Sequence, residues 1–469
     1  MSRTITITPV TRIEGHAAIT ILLDDSGQVA EARLHVREFR GFESFCLGRP
    51  FWEMPAITAR ICGICPVSHA LAASLAGDRI LGVAIPPPAH NLRNLLSLAQ
   101  LILSHSLSFF HLSLPDILLG LDADPAERNI AGLARRFPEL IRNGIRLRQI
   151  GQEIINRVAG GQLHPEFIVP GGMREPLNAE GRDAMAALLP EALELVRLAL
   201  ALWHEHAERF KAEMGECNDL GGLYLGLVGD GGCLDHYRGR LRFVDQAGSI
   251  VRELEPDSYA EALRETVAND SYLKPTECVL GDEHLYRVGP LARLNVASFG
   301  GAPLASRERE RLLAGRPATV SSLDYHHARL VEMLYALERI GALLDDPATI
   351  DPHVLATAEV NQLEGVGVTE APRGTLIHHY RVDRHGLLTR VNLIVATAHN
   401  SRAMDRAITT IARNHLAGDR LDQGLLNRVE HGIRLYDPCL SCATHAVGKL
   451  GVSVTLRAAG GKVLDRAAI

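Results

Sequence analysis

The sequence predicts an α+β protein: one large body with a central bundle of long helices and small antiparallel β elements at its periphery. Three observations carry that reading. Short stretches of alternating apolar and polar residues lie near both ends. Long apolar patterns of helical period fill the centre. No Gly/Ser-rich linker, internal repeat or low-complexity tract interrupts the 469 residues. Length alone would suggest about three domains, so the missing linkers decide for a single large body.

The elements follow in order. Ile5 and Ile7, then Ile19 and Ile21, alternate with threonine or alanine, and Asp24-Asp25-Ser26-Gly27 is a turn signal, so 3–36 reads as strands. Leu92, Leu95, Leu96, Ala99, Ile102 and Leu103 keep a helical period that starts just after Pro86-Pro87-Pro88. Helical patterns also run over 135–158, 183–214, 321–345 and 402–417. In the third of these, Leu330, Leu334, Leu337 and Leu344 form an apolar stripe, with Gly341 in the same row. Hairpins are expected at 236–253, around Asp245-Gln246-Ala247-Gly248, and at 378–395, around Asp383-Arg384-His385-Gly386. Beyond residue 445, Val452, Val454 and Leu456 alternate before Gly460-Gly461 and Val463, which reads as a further small hairpin.

Composition excludes several classes. Apolar residues make up 46% and charged residues 22%, values of an ordinary globular protein that builds its core without staples. A disordered chain, a collagen and a small disulfide scaffold are thereby excluded. The net charge is −6, so the basic excess of a nucleic-acid binder is missing. No uninterrupted apolar run reaches the ~18 residues of a spanning helix. The opening residues Met1 to Ile7 carry no apolar signal segment, and a cytoplasmic location is expected.

Eight cysteines are present: Cys46, Cys217, Cys233 and Cys278 are scattered, and four form two C-x-x-C pairs. The first pair lies in Arg60-Ile61-Cys62-Gly63-Ile64-Cys65-Pro66-Val67-Ser68-His69 and the second in Asp437-Pro438-Cys439-Leu440-Ser441-Cys442-Ala443-Thr444-His445. Four thiolates suit zinc or an iron–sulfur site. A zinc ribbon separates its pairs by roughly 15–20 residues, whereas these stand at opposite ends of the chain. They either share one metal, with both ends of the chain folded to the centre, or serve separately as redox or zinc half-sites.

Taken whole, Arg-x-Cys-Gly-x-Cys-x-x-x-His near one end and Asp-Pro-Cys-x-x-Cys-x-x-His near the other resemble the large subunit of nickel–iron hydrogenases. Val10 to His16, Arg40-Gly41-Phe42-Glu43 and Glu370-Ala371-Pro372-Arg373-Gly374 resemble further signature segments of that family. Ser113 to Asp116, Gly365-Val366-Gly367-Val368 onward to His378-His379-Tyr380, and Tyr436 to Cys439 resemble its NAD-reducing, bidirectional cytoplasmic subgroup.

The resemblance implies heterolytic H2 cleavage and formation, with electrons passed to NAD+ (H2 + NAD+ = NADH + H+). It implies nickel held by Cys62, Cys65, Cys439 and Cys442, with Cys65 and Cys442 bridging to an iron that carries CO and two cyanides. Thiolates are soft ligands suited to such metals. Cys439 is the first choice of proton acceptor, with Arg373 the alternative base, and the resemblance makes Glu14 the carboxylate that passes the proton on; partial burial raises a carboxyl toward the working pH. It puts the permanent cation of Arg373 beside the metals, held by Asp116 and Asp437. Thr397 would donate a hydrogen bond to a cyanide. His69, one helical turn after Cys65, would donate to that bridging sulfur. Glu43 and His445 would hold magnesium.

The chain has no G-x-G-x-x-G fingerprint and no spare cysteine sets for clusters. By the same resemblance, the Fe–S clusters, flavin and NAD are carried by diaphorase subunits and a small Fe–S subunit. Nickel-insertion proteins and a maturation endopeptidase act on the precursor, and residues 446–469 are a propeptide removed after His445. Subgroups using NADP or deazaflavin share most of these motifs. A zinc-stapled interaction subunit is the contrasting class, and the quinone-site relatives in respiratory complex I lack the four cysteines.

Overall fold

The segment that the periodic patterns miss is the one at the centre. Helix Pro66–Leu81 has 14 buried positions among its 16 residues, including His69, Ser74 and Asp78. A helix buried all round shows no polar face, so its period is weak in sequence. Pro66 stands at its first position, where the missing N–H costs nothing. The strand Glu364–Ala371 lies directly on this helix. A Cβ at Gly367 would sit 2.0 Å from the carbonyl oxygen of Ala72, and one at Gly365 would sit 2.2 Å from that of Ala76, so only glycine permits the approach.

The computed structural model describes residues 3–159, 167–215, 220–268, 270–280, 284–416 and 423–444, together with the backbone strands Ser453–Arg457 and Val463–Ala468. Its N-terminal sheet pairs Arg3–Ile7, Ala17–Leu23 and Val29–Val36 antiparallel, as the alternation predicts. Asp24 closes the predicted turn by accepting from Ser26 N at 2.9 Å and Gln28 N at 3.0 Å. The two expected central hairpins form. Arg240–Val244 pairs with Ile250–Leu254, and Gly374–Val382 pairs with both Glu364–Ala371 and Leu388–Ile394. The tail strands also pair antiparallel, Ser453 opposite Ala468.

The long helices are Pro87–Ser106, Pro138–Ala159, Leu189–Met214, Tyr325–Asp345 and Ser401–His415. The pattern expected over 183–214 is two helices, Ala179–Ala186 and Leu189–Met214. Pro190 lies in the first turn of the second, where a proline starts a helix rather than continuing one. Leu330, Leu334, Leu337 and Leu344 are all buried, as their stripe predicts. The run Pro87–Leu119, counted through its π-helical segment Leu107–Ser113, is long and apolar enough by composition to cross a membrane, but most of its apolar window is buried inside the protein. One large core joins these helices to the N-terminal sheet.

Candidate metal centre

The two C-x-x-C pairs meet. Cys62 is extended after the short helical turn Ala59–Ile61, and Cys65 caps the N-terminus of Pro66–Leu81, where the helix dipole favours a thiolate. At the other end, Asp437 takes a left-handed conformation (φ 50°) before Pro438. Cys439 follows in extended backbone, and Cys442 lies in the short helix Leu440–Ala443. Two contacts seat this segment. Glu14 bridges Cys439 in parallel, with Leu440 N donating to Glu14 O at 3.2 Å. Gly15 (φ +86°) permits it, since a Cβ there would fall 2.7 Å from Leu440 Cβ. The Thr397 hydroxyl grips Cys439, accepting from its N–H at 3.0 Å and donating to its carbonyl at 3.1 Å.

All four sulfurs are buried and lie within 4.8 Å of one another. Cys439 Sγ stands 3.2 Å from Cys62 Sγ and 2.8 Å from Cys442 Sγ, and Cys65 Sγ stands 3.4 Å from Cys442 Sγ. These separations exceed the roughly 2.05 Å of a disulfide, and the four thiols are free. Cys65 is held well below the ordinary thiol range by hydrogen bonds from Cys439, Cys442 and Cys62. Burial pushes Cys439 and Cys442 well above it. To ionise together, four adjacent buried thiols would need a cation among them, and a soft metal is the cation this donor set fits.

Arg373 faces the same cavity, with Cys65, His69, Thr397, Cys439 and Cys442. Its Nη2 donates to Asp437 Oδ1 at 3.2 Å and lies 3.1 Å from Oδ2. Burial opposes its charge, but Asp437 and the cysteine sulfurs hold the guanidinium well above its usual range. Its Nε and Nη1 are buried and have no hydrogen-bond partner. Two orphaned donors beside a thiolate cluster mark a place for an acceptor group, which fits metal-bound diatomic ligands.

Several expectations need correction. Asp116 does not hold Arg373. It accepts from Arg12 Nη2 at 2.5 Å, His431 Nδ1 at 2.7 Å, Arg434 Nη1 at 2.8 Å and also from Arg128. It lies on helix Leu114–Leu119 and anchors the Arg12 turn just before Glu14. Thr397 spends its only proton on the Cys439 carbonyl, not on a diatomic ligand. His69 Nε2 reaches Cys442 Sγ, at 3.3 Å. Cys65, the expected partner, caps the helix (φ −122°, ψ 40°); His69 N donates to its carbonyl at 3.4 Å, and a bond from the His69 ring also helps hold the Cys65 thiol low. Glu43 is neutralised by Lys274, whose Nζ lies 2.7 and 2.9 Å from its two oxygens, and Leu393 N donates to it at 2.9 Å. An ammonium and an N–H do not make a magnesium cage. His445 lies outside the described residues.

Sequence reasoning missed a chain of rings behind the site. His69 Nδ1 lies 3.1 Å from His378 Nε2, and His378 Nδ1 lies 2.6 Å from Tyr380 Oη. Alternation along Gly374–Val382, which puts 378 and 380 on one face, was the available signal. Ser441, which holds Glu14, was likewise missed. Its N–H donates to Glu14 Oε2 at 3.0 Å and its hydroxyl to Oε1.

Comparison with known proteins agrees with this geometry. A family model described as nickel-dependent hydrogenase matches residues 40–167 and 270–445, and one described as HoxL-like matches 4–39. The chain is 40% identical to the NAD-reducing hydrogenase HoxS subunit beta of Cupriavidus necator, over the full length of both. It is 42% identical to a vhu F420-non-reducing hydrogenase chain of Methanococcus voltae, over 87% of this chain and 98% of that one. Among solved structures, an NAD+-reducing [NiFe]-hydrogenase in the H2-reduced state superposes with a TM-score of 0.89 at 45% identity, covering 94% of this chain and 99% of that one. With four clustered sulfurs, an arginine over them and a family match across most of its length, the chain belongs to the nickel-dependent hydrogenases.

Proposed function

We propose that this chain is the H2-activating subunit of an NAD-reducing hydrogenase complex. The observation that carries the reading is the meeting of Cys62, Cys65, Cys439 and Cys442 beneath Arg373. These four sulfurs would hold a nickel–iron pair, which would supply the heterolytic chemistry of H2 and a sink for its electrons. The protein supplies the rest. Cys439 is the first base, held in register by Thr397. Glu14 takes the proton onward from beside that segment, its carboxylate oriented by Ser441. Arg373 would offer its unpartnered Nε and Nη1 to diatomic ligands of such a metal, while Asp437 holds its guanidinium. His69 donates to Cys442 and tunes that sulfur.

Electrons leave through partners, because this sequence has neither a dinucleotide fingerprint nor further cysteine sets. The reading therefore includes a small Fe–S subunit, diaphorase subunits with flavin and NAD, nickel-insertion proteins, and a cytoplasmic location. It also includes endopeptidase removal of 446–469 once nickel is in place. Intact mass of the active chain tests that step, and a product ending at Ile469 refutes it.

The activity itself is tested on the co-expressed, matured complex. Infrared absorption from metal-bound CO and cyanide is expected, with H2-dependent reduction of NAD+ faster than that of NADP+ or F420. Zinc as the sole metal would overturn the reading in favour of a stapled scaffold.

A further inference from the structure

Three helices of the central bundle bring a second ligand-bearing cluster together, and none of its residues lines the sulfur cavity. His204 comes from Leu189–Met214, Glu308 from Pro303–Leu313 and His327 from Tyr325–Asp345. One oxygen, Glu308 Oε1, lies 2.7 Å from His204 Nε2 and 2.7 Å from His327 Nε2. The two rings stand 5.0 Å apart at 82°. One donor atom from each residue falls within 4.8 Å of the others.

The geometry is poor for hydrogen bonding alone. His327 Nε2 bonds to the carboxylate. His204 Nε2 is equally close to the same oxygen but poorly aligned with it for a hydrogen bond, so both rings converge on one carboxylate oxygen. In a neutral ring that turns a lone pair toward the carboxylate oxygen, this contact is repulsive. A cation shared by the three atoms removes the conflict. Protonation states also suit a cation: burial pushes His204 down toward the neutral ring, and Glu308, despite burial, is held low by its bond from His327. Arg311 is the nearby charge that opposes binding. Side-chain exposures of 23% for His204, 15% for Glu308 and 7% for His327 leave the site enclosed but open on the His204 side.

We propose that His204, Glu308 and His327 bind one divalent transition-metal ion of the zinc class. Two imidazoles and one carboxylate leave a fourth position for water, the coordination of an open tetrahedral site. The ion ties three helices together at a point where no disulfide or backbone pairing does so.

The test uses the matured complex, with its sulfur site already loaded, and Zn2+ as the probe. The wild-type complex is expected to take up one zinc more per chain than Glu308→Gln or the His204→Gln/His327→Gln pair, with at least about tenfold tighter binding. Its zinc-edge spectrum should show a two-imidazole, nitrogen-and-oxygen shell at about 2.0–2.1 Å with no sulfur near 2.3 Å. Its unfolding midpoint should rise with added Zn2+. Equal uptake by the variants overturns the proposal. Should the variants fail to assemble, the wild-type spectrum decides alone, and zinc uptake without a two-imidazole shell, or no uptake, overturns it.

Discussion

Glu14 and Ser441 come from opposite ends of the chain and meet through two hydrogen bonds, both donated by the serine. Glu14 is half-buried, and its backbone bridges Cys439. A glutamine in its place still accepts from Ser441 N through its amide oxygen, but it cannot take up and release a proton. Glu14→Gln is therefore expected to keep its metals by elemental analysis and to lose H2-dependent NAD+ reduction by about 10²–10⁴-fold. An unchanged rate would remove Glu14 from the proton path.

Arg373 and Asp437 make a buried pair, so removing one partner strands the other. Arg373→Met should destabilise the protein by about 3–5 kcal/mol, because Asp437 is left charged and unpaired. Arg373→Lys keeps the charge but loses the planar fork and the orphaned Nε and Nη1 donors. Its unfolding midpoint should lie between those of the wild type and Arg373→Met, with turnover reduced while nickel is retained. A Met variant as stable as the wild type would show that the pair is not what holds the Asp437 turn.

These two residues also show how much of the site was legible beforehand. The cysteine pairs, Glu14 and Arg373 stand in short motifs, so their identity is readable and the fold only has to bring them together. Strand alternation and turn residues likewise announced the hairpins. The helix Pro66–Leu81 did not announce itself, because burial on every side erases the period. Asp116 was read as a carboxylate that holds a guanidinium, but paired with the wrong arginine. Arg12, Arg128 and Arg434 come from three distant segments, and sequence spacing holds no trace of which guanidinium a carboxylate meets. Glu43 failed for the same reason: Lys274 is remote in sequence and adjacent in space.

Away from the site, Asp405 gives a pH signature. Burial pushes its carboxyl up to about 7, a bond from Leu34 N and the charge of Arg33 oppose this, and Glu31 and Asp270 add to it. The folded state thus binds a proton that the unfolded chain, near 3.9, releases. The stability this proton confers is full below about pH 4 and is lost as pH rises toward 7. Asp405→Asn should flatten that slope in chemical-unfolding midpoints measured from pH 4 to 8. An identical slope in the variant would rule the group out as its source.

Asp116 titrates with the opposite sign. Burial favours its neutral form, but Arg434, the bond from His431 and Arg12 outweigh burial and hold the carboxyl well below its usual range. Burial brings His431 down to about 4, so at neutral pH the ring is uncharged and donates through Nδ1. Arg12 is itself pulled down to about 10 by burial and by Arg434 even though Asp116 opposes the shift, which shows how crowded the cations are. Asp116→Asn leaves three guanidinium groups facing a neutral amide, and a loss of about 3–5 kcal/mol is expected at pH 7. A depressed folded pKa contributes stability above the unfolded value of about 3.9 and loses it as pH falls through the folded one. The gap between wild type and Asp116→Asn should therefore stay constant from pH 7 to about 4 and close below that. Unfolding midpoints of both proteins across this range measure the gap directly. A gap that closes between pH 7 and 5 instead would mean that a histidine such as His431, and not the carboxylate, governs the cluster.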